Sequence, residues 1–155
     1  MPADRGRAGH HEISIRGLKR EYGIDRDRLR RLLVETLRTE RAPDGELSVA
    51  LVGDRTMQRI NREYRNIDRS TDVLSFSYLD EPHSGGILGE IYVSPTVAQA
   101  QAKEAGCPFD EELARLCVHG ALHILGYEHD TAPTRRKMLA RQDRHVKRFF
   151  LEASS

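Results

Sequence analysis

The sequence predicts an α+β protein: a single mixed sheet of about four strands covered by helices, one of them a zincin-like helix that carries metal ligands. Three observations predict this class. Short runs with apolar residues at alternate positions interleave with longer runs whose apolar residues recur every three or four positions. Clusters of proline, glycine and aspartate separate the runs. The order is strand, helix, strand, helix, strand, strand and then helices only. At 155 residues the chain has the size of one domain with a proper core.

Each element has a local reason. Residues 1–10 are small, charged and glycine-containing, with no hydrophobic stretch behind them, and read as a flexible N-terminal tail rather than a secretion signal. A single domain over 11–151 follows, with Glu152 to Ser155 as a second loose end. Glu12 to Arg16 alternates as a short strand. Asp25 caps a helix with Leu29, Leu32, Leu33 and Leu37 on one face. Pro43-Asp44-Gly45 is a turn. Leu47, Val49 and Leu51 alternate through a second strand, Glu46 to Val52. Gly53-Asp54 starts a helix that turns Met57, Ile60 and Tyr64 inward. Val73 to Tyr78 is a third strand, Pro82 to Gly86 a flexible turn, and Gly89 to Val93 a fourth strand. Ser94 caps the next helix and Pro95 occupies its first position. Gly106 and Pro108 stop it, Asp110 opens the metal helix, and a last long helix runs from after Pro133 to about Phe150.

Composition narrows the class further. Apolar content of 38% with 32% charged residues describes a soluble globular protein, and no apolar run approaches a membrane span. With only two cysteines a disulfide framework is not expected, which favours a cytoplasmic location. The net charge of +1 is neutral on nucleic acid. The distribution says more: Arg55, Arg59, Arg62, Arg65 and Arg69 share one segment, and seven basic residues between Arg135 and Arg148 crowd the last helix. Such stripes can track phosphates, or can be solvated faces balanced by acids. No aromatic interleaves these arginines in sequence, so no base-stacking platform is visible.

The densest chemistry lies between His119 and His129. The spacing His119-x3-His123-x5-His129 puts the first two rings on one helix face. Gly126 can take a left-handed conformation and turn the chain, so that His129 returns as a third ligand. Three imidazoles make an open zinc site, with the fourth position left for water that becomes hydroxide near neutral pH. Nickel, copper or iron suit the same set. A closed structural site would need a fourth ligand from Cys107, Cys117, Glu128 or Asp130, and Cys117 points to another helix face. Gly120 stands where zinc proteases place a glutamate base.

A second patch runs from Asn61 to Phe76, where an arginine-rich helix end enters a polar loop and then a strand. Thr71 and Asp72 can fold that loop by bonding to its backbone. An arginine such as Arg65 held near a metal suits a phosphate, although spacing alone favours a plain ion pair with Asp68 or Asp72 over that role.

Together the two patches resemble the YbeY family of single-strand-specific bacterial metallo-endoribonucleases. The first is similar to the family's metal motif across His119-Gly120-Ala121-Leu122-His123-Ile124-Leu125-Gly126-Tyr127-Glu128-His129. The second matches at Asn61, Tyr64, Arg65, Asp68 and Thr71 to Phe76. Leu88 to Ile91 and Met138 match as well, so the resemblance spans about 46–142. Glu128 and Glu90 replace a commoner aspartate, and Ser70 a commoner proline. The resemblance implies that His119, His123 and His129 bind one zinc ion and that Arg65 is needed for activity. It also implies processing of ribosomal RNA, including the small-subunit 3′ end, and ribosome quality control. Single-stranded RNA and the ribosome or small-subunit proteins are the implied partners, without DNA or membrane. Two rivals share the spacing. One is a metzincin-like zinc peptidase, with Met138 downstream and a carboxylate such as Glu90 or Glu128 as base. The other is a non-catalytic ribosome-assembly factor with a structural zinc.

Overall fold

The computed structural model describes residues 10–65, 72–81, 85–128 and 130–154, with Arg65 and 151–154 described for their backbone alone. Strands β1 (His11–Arg16), β2 (Gly45–Leu51), β3 (Val73–Ser77) and β4 (Ile87–Val93) alternate with helices α1 (Arg26–Thr39), α2 (Asp54–Arg65), α3 (Pro95–Ala105), α4 (Phe109–Ile124) and α5 (Ala132–Ser154). The strands form one sheet in the order β1-β2-β4-β3. β1, β2 and β4 run parallel, and β3 is antiparallel to β4 on one edge. This is the expected α+β fold with a mixed four-stranded sheet.

Register decides what each face meets. Val49 lies beside Ile15 on one side and Ile91 on the other, so these side chains share a face. They join Leu47 and Val93, the α1 leucines Leu29, Leu32, Leu33 and Leu37, and the α4 residues Leu113, Val118 and Leu122 in the main core. Asp25 caps α1 as expected, its carboxylate accepting from the amides of Asp27 and Arg28. Ser94 caps α3 and Pro95 opens it. On the other face Met57, Ile60 and Leu74 make a smaller cluster under α2.

Several expectations are corrected. Tyr64 is not turned inward: it is 69% exposed, because the last turn of α2 overhangs an open cavity rather than the core. Its ring meets Phe76 edge-on at 5.5 Å. Helix α4 begins at Phe109, with Asp110 inside its first turn beside Glu111 and Glu112. The last helix opens before Pro133: Thr131 Oγ1 accepts from the Thr134 amide, and the proline sits in the first turn where a missing N–H costs nothing. Its backbone continues to Ser154, past the expected end at Phe150 and through most of the expected loose end. His10, placed in the tail by its sequence, donates its amide to Asp44 Oδ1 at 2.9 Å. The rest of that tail lies outside the described residues. Among the described residues no helix is long and apolar enough to cross a membrane.

Candidate metal centre

Helix α4 positions two of the three predicted ligands. Its apolar stripe is fully buried at Leu113, Cys117, Val118, Ala121 and Leu122, which turns His119 half out and His123 out to solvent. Carboxylates in the first turn suit the positive end of the helix dipole. At the far end Gly126 adopts φ +105°. Its amide donates to the His123 carbonyl and the Tyr127 amide to the Leu122 carbonyl, the paired bonds of a Schellman stop. The chain therefore reverses at the expected glycine. His129 lies outside the described residues.

Both rings are oriented by outer oxygens. His119 Nδ1 is 2.8 Å from Oε1 of Gln142 on α5, and His123 Nδ1 is 2.9 Å from the Tyr127 carbonyl. A carbonyl oxygen only accepts, so each Nδ1–H donates, and in a neutral ring this puts the lone pair on Nε2. Ligand histidines are held by such a second partner in metal sites, and neutral imidazoles presenting Nε2 suit zinc. The donor set therefore fits the metal that the spacing predicts.

The turn after α4 is anchored in turn. Tyr127 Oη donates to Glu40 Oε1 at 2.8 Å, while Arg141 Nε and His145 Nε2 approach Glu40 Oε2 at 2.8 and 2.7 Å. The Glu40 side chain is only 5% exposed. Burial alone would raise its carboxyl, but hydrogen bonds from His145, Tyr127 and Arg141 outweigh this and hold it below the ordinary value of 4.5. One carboxylate at the end of α1 thus ties together the turn that holds His123 and the helix that holds His119. Sequence reasoning missed Glu40, Gln142 and His145, and treated Arg141 as part of a basic stripe. The pairs are 23 to 105 residues apart, beyond the reach of any spacing rule.

The glycine after His119 has a steric reason. A Cβ built at Gly120 would lie 2.8 Å from Ile91 Cγ2. Position 120 faces β4, so no glutamate fits there. Glu90, the peptidase's other candidate base, neighbours Ile91 and so points to the opposite sheet face. There it accepts hydrogen bonds from Tyr78 Oη at 2.5 Å and Tyr92 Oη at 2.7 Å. The bond to Glu90, then burial, pushes the Tyr78 hydroxyl up to about 12. Among candidate fourth ligands, Cys117 is wholly buried in the core and its thiol is pushed up to about 12 by that burial. Cys107 precedes α4 and lies beside Glu112 and Arg115, at the opposite end of the helix from His123. Glu128 and Asp130 are exposed.

Arg65 is the last residue of α2, and its side chain lies outside the described residues together with Asp68, Arg69 and Thr71. Asp72 Oδ1 accepts from the amide of the next residue, Val73, at 2.8 Å, and its other oxygen accepts from Gln101; the loop it was expected to fold lies outside the described residues.

Fold and centre define a class: an α+β protein whose central helix presents two oriented imidazoles beside a glycine-stopped turn. The model of the Endoribonuclease YbeY family matches residues 15–150, and the chain belongs to that family. The Endoribonuclease YbeY of Halalkalibacterium halodurans is 42% identical over 127 residues, 74% of this chain and 80% of its relative. The Endoribonuclease YbeY of Brevibacillus brevis is 35% identical over 150 residues, covering 85% and 94%. A solution structure from Thermotoga maritima superposes with a TM-score of 0.64 at 29% identity, covering 92% of this chain and 91% of that one.

Proposed function

We propose that this chain is a zinc-dependent endoribonuclease that hydrolyses phosphodiesters of single-stranded RNA. Its place is in the cytoplasm, in maturation of ribosomal RNA, including the 3′ end of the small-subunit RNA, and in ribosome quality control. The ribosome or its small-subunit proteins are the expected partners. The observation that carries the reading is the pair of imidazoles on α4, each with Nδ1 engaged by an oxygen, in a chain of this family.

His119, His123 and His129 would hold one zinc ion. Bound there, zinc supplies Lewis acidity and lowers the pKa of water toward neutrality. The protein's own residues do the rest. Gln142 and the Tyr127 carbonyl fix the two rings, so little reorganisation is needed on binding. Arg65 neutralises charge that grows on the phosphoryl oxygens. Gly120 leaves no carboxylate beside the first ligand, which disfavours peptide hydrolysis.

The test is purified protein with zinc, offered single-stranded RNA and casein in parallel. RNA cleavage is expected, lost in His119→Ala and in Arg65→Ala protein, with casein untouched. Cleavage that survives either substitution would identify a contaminating nuclease and end the proposal. A fourth protein ligand in metal spectroscopy, with no cleavage, would assign the zinc a structural role.

A further inference from the structure

We propose that the cavity between α2 and the open face of the sheet binds bases of the single-stranded RNA substrate. The ligand class rests on the endoribonuclease reading above; the site itself rests on separate residues. Because strand side chains alternate, Gly89, Ile91 and Val93 meet α4 while Glu90 and Tyr92 face the other way. Register sets Phe76 beside Glu90 and Ala50 beside Tyr92, with Arg16 beside Ala50. Helix α2 covers only part of this row, leaving a cavity of about 660 Å³ with Arg59 and Tyr64 on its helical wall. That is within the roughly 300–1,000 Å³ range of small-ligand pockets.

Three features point to RNA. Tyr64, Phe76 and Tyr92 form a run of edge-to-face rings at 5.5 and 5.9 Å, and Tyr64 is 69% exposed. The rings are inclined at 68° and 78° rather than stacked on one another, so the exposed Tyr64 ring can offer itself for stacking, which every base accepts. Arg16 and Arg59 are exposed and make no ion pair with a described residue, so both guanidinium groups can meet phosphates. Tyr78 and Tyr92 each give their only hydroxyl proton to Glu90, so toward a ligand these oxygens only accept. Such a floor suits a base with an exocyclic amine, adenine, cytosine or guanine, whose two N–H groups can meet both oxygens, better than uracil, which offers a single ring N–H.

The cavity and the proposed centre lie on opposite faces of the sheet and share its β3 edge. Tyr64 on its rim directly precedes Arg65. Edge strand β3 carries Phe76 on the cavity side, and on the α4 side Ser77, whose hydroxyl donates to the Ile124 carbonyl, one residue after His123. A strand leaving the cavity around β3 therefore arrives at the end of the metal helix.

Fluorescence anisotropy of labelled A12, C12 and U12 RNA on the full chain without added metal tests this. Tyr64→Ala and Arg59→Ala are each expected to raise Kd about fivefold or more, with unfolding midpoints held. A12 and C12 should bind more tightly than U12, and Tyr78→Phe should narrow that gap. Unchanged RNA affinity in Tyr64→Ala and Arg59→Ala overturns the site while leaving the endoribonuclease reading intact. Normal RNA affinity with lost ribosomal-subunit association overturns it in favour of a protein surface. Weakened RNA binding in these variants, with no cleavage by the zinc-loaded wild type, supports the site and sinks the hydrolytic reading instead.

Discussion

Replacing Gly120 by alanine sets two opposing effects against each other. Within a helix the change ordinarily stabilises by about 1 kcal/mol, since glycine loses more backbone freedom on folding. Here the added Cβ would lie 2.8 Å from Ile91 Cγ2 and 3.2 Å from both Cγ1 and Cδ1. Carbon atoms rest about 3.5–4.0 Å apart, so one contact is short by roughly 1 Å. Relief is poor, because Ile91 is wholly buried and β-branched in an inner strand. Overpacking of this kind costs about 1–3 kcal/mol. Packing outweighs propensity, and a net loss of up to about 2 kcal/mol is expected in urea unfolding of the metal-free protein. Ile91→Ala alone should cost about 2–5 kcal/mol. Because it also removes all three crowding atoms, the double variant should be less destabilised than the sum by the whole clash, about 1–3 kcal/mol. Strict additivity, or a Gly120→Ala protein more stable than wild type, would refute the steric account of this glycine. A glutamate at the same position, as in a protease, should prevent folding, since it would bury a charge against the sheet.

Other outcomes follow from the same geometry. Gln142→Ala deprives His119 Nδ1 of its acceptor and should weaken zinc binding about 10–100-fold by chelator competition, with Gln142→Glu restoring much of it. Equal affinity in all three proteins would remove Gln142 from the site. Glu40 has a depressed carboxyl in the folded state, so its contribution to stability is complete above the unfolded value near 4.5 and fades as pH falls below it. Wild type should thus lose stability in that acid window more steeply than Glu40→Gln protein, which a urea series at stepped pH would show; parallel curves would count against the depression. Native protein should offer a thiol reagent Cys107 but not Cys117, which is buried with its pKa at about 12. Modification of Cys117 as fast as Cys107 without unfolding would contradict that burial.

How much of this was legible in the chain depends on the range of the interaction. Alternation at Leu47, Val49 and Leu51, the Asp25 and Ser94 caps, and the Gly126 stop are local, and the structure has each of them where the pattern puts it. Periodicity reports which side chains share a face but not what covers that face. That is why Tyr64 was misplaced: it continues the stripe of Met57 and Ile60, yet α2 outruns the sheet beneath it. The same limit hid the stacking surface. The arginine-rich segment has no aromatic interleaved in sequence, but strand pairing brings Phe76 and Tyr92 to Tyr64 from other elements. In the candidate centre, the four-residue step from His119 to His123 was readable, while the choice of Nε2 was not. That choice depends on a glutamine from α5 and on a carbonyl in a turn, and the turn is tied to Glu40 87 residues earlier in the chain. The motif names the rings. Only the folded chain sets which nitrogen each presents, so substitutions outside the motif at Gln142 and Glu40 should weigh on the metal nearly as much as those within it.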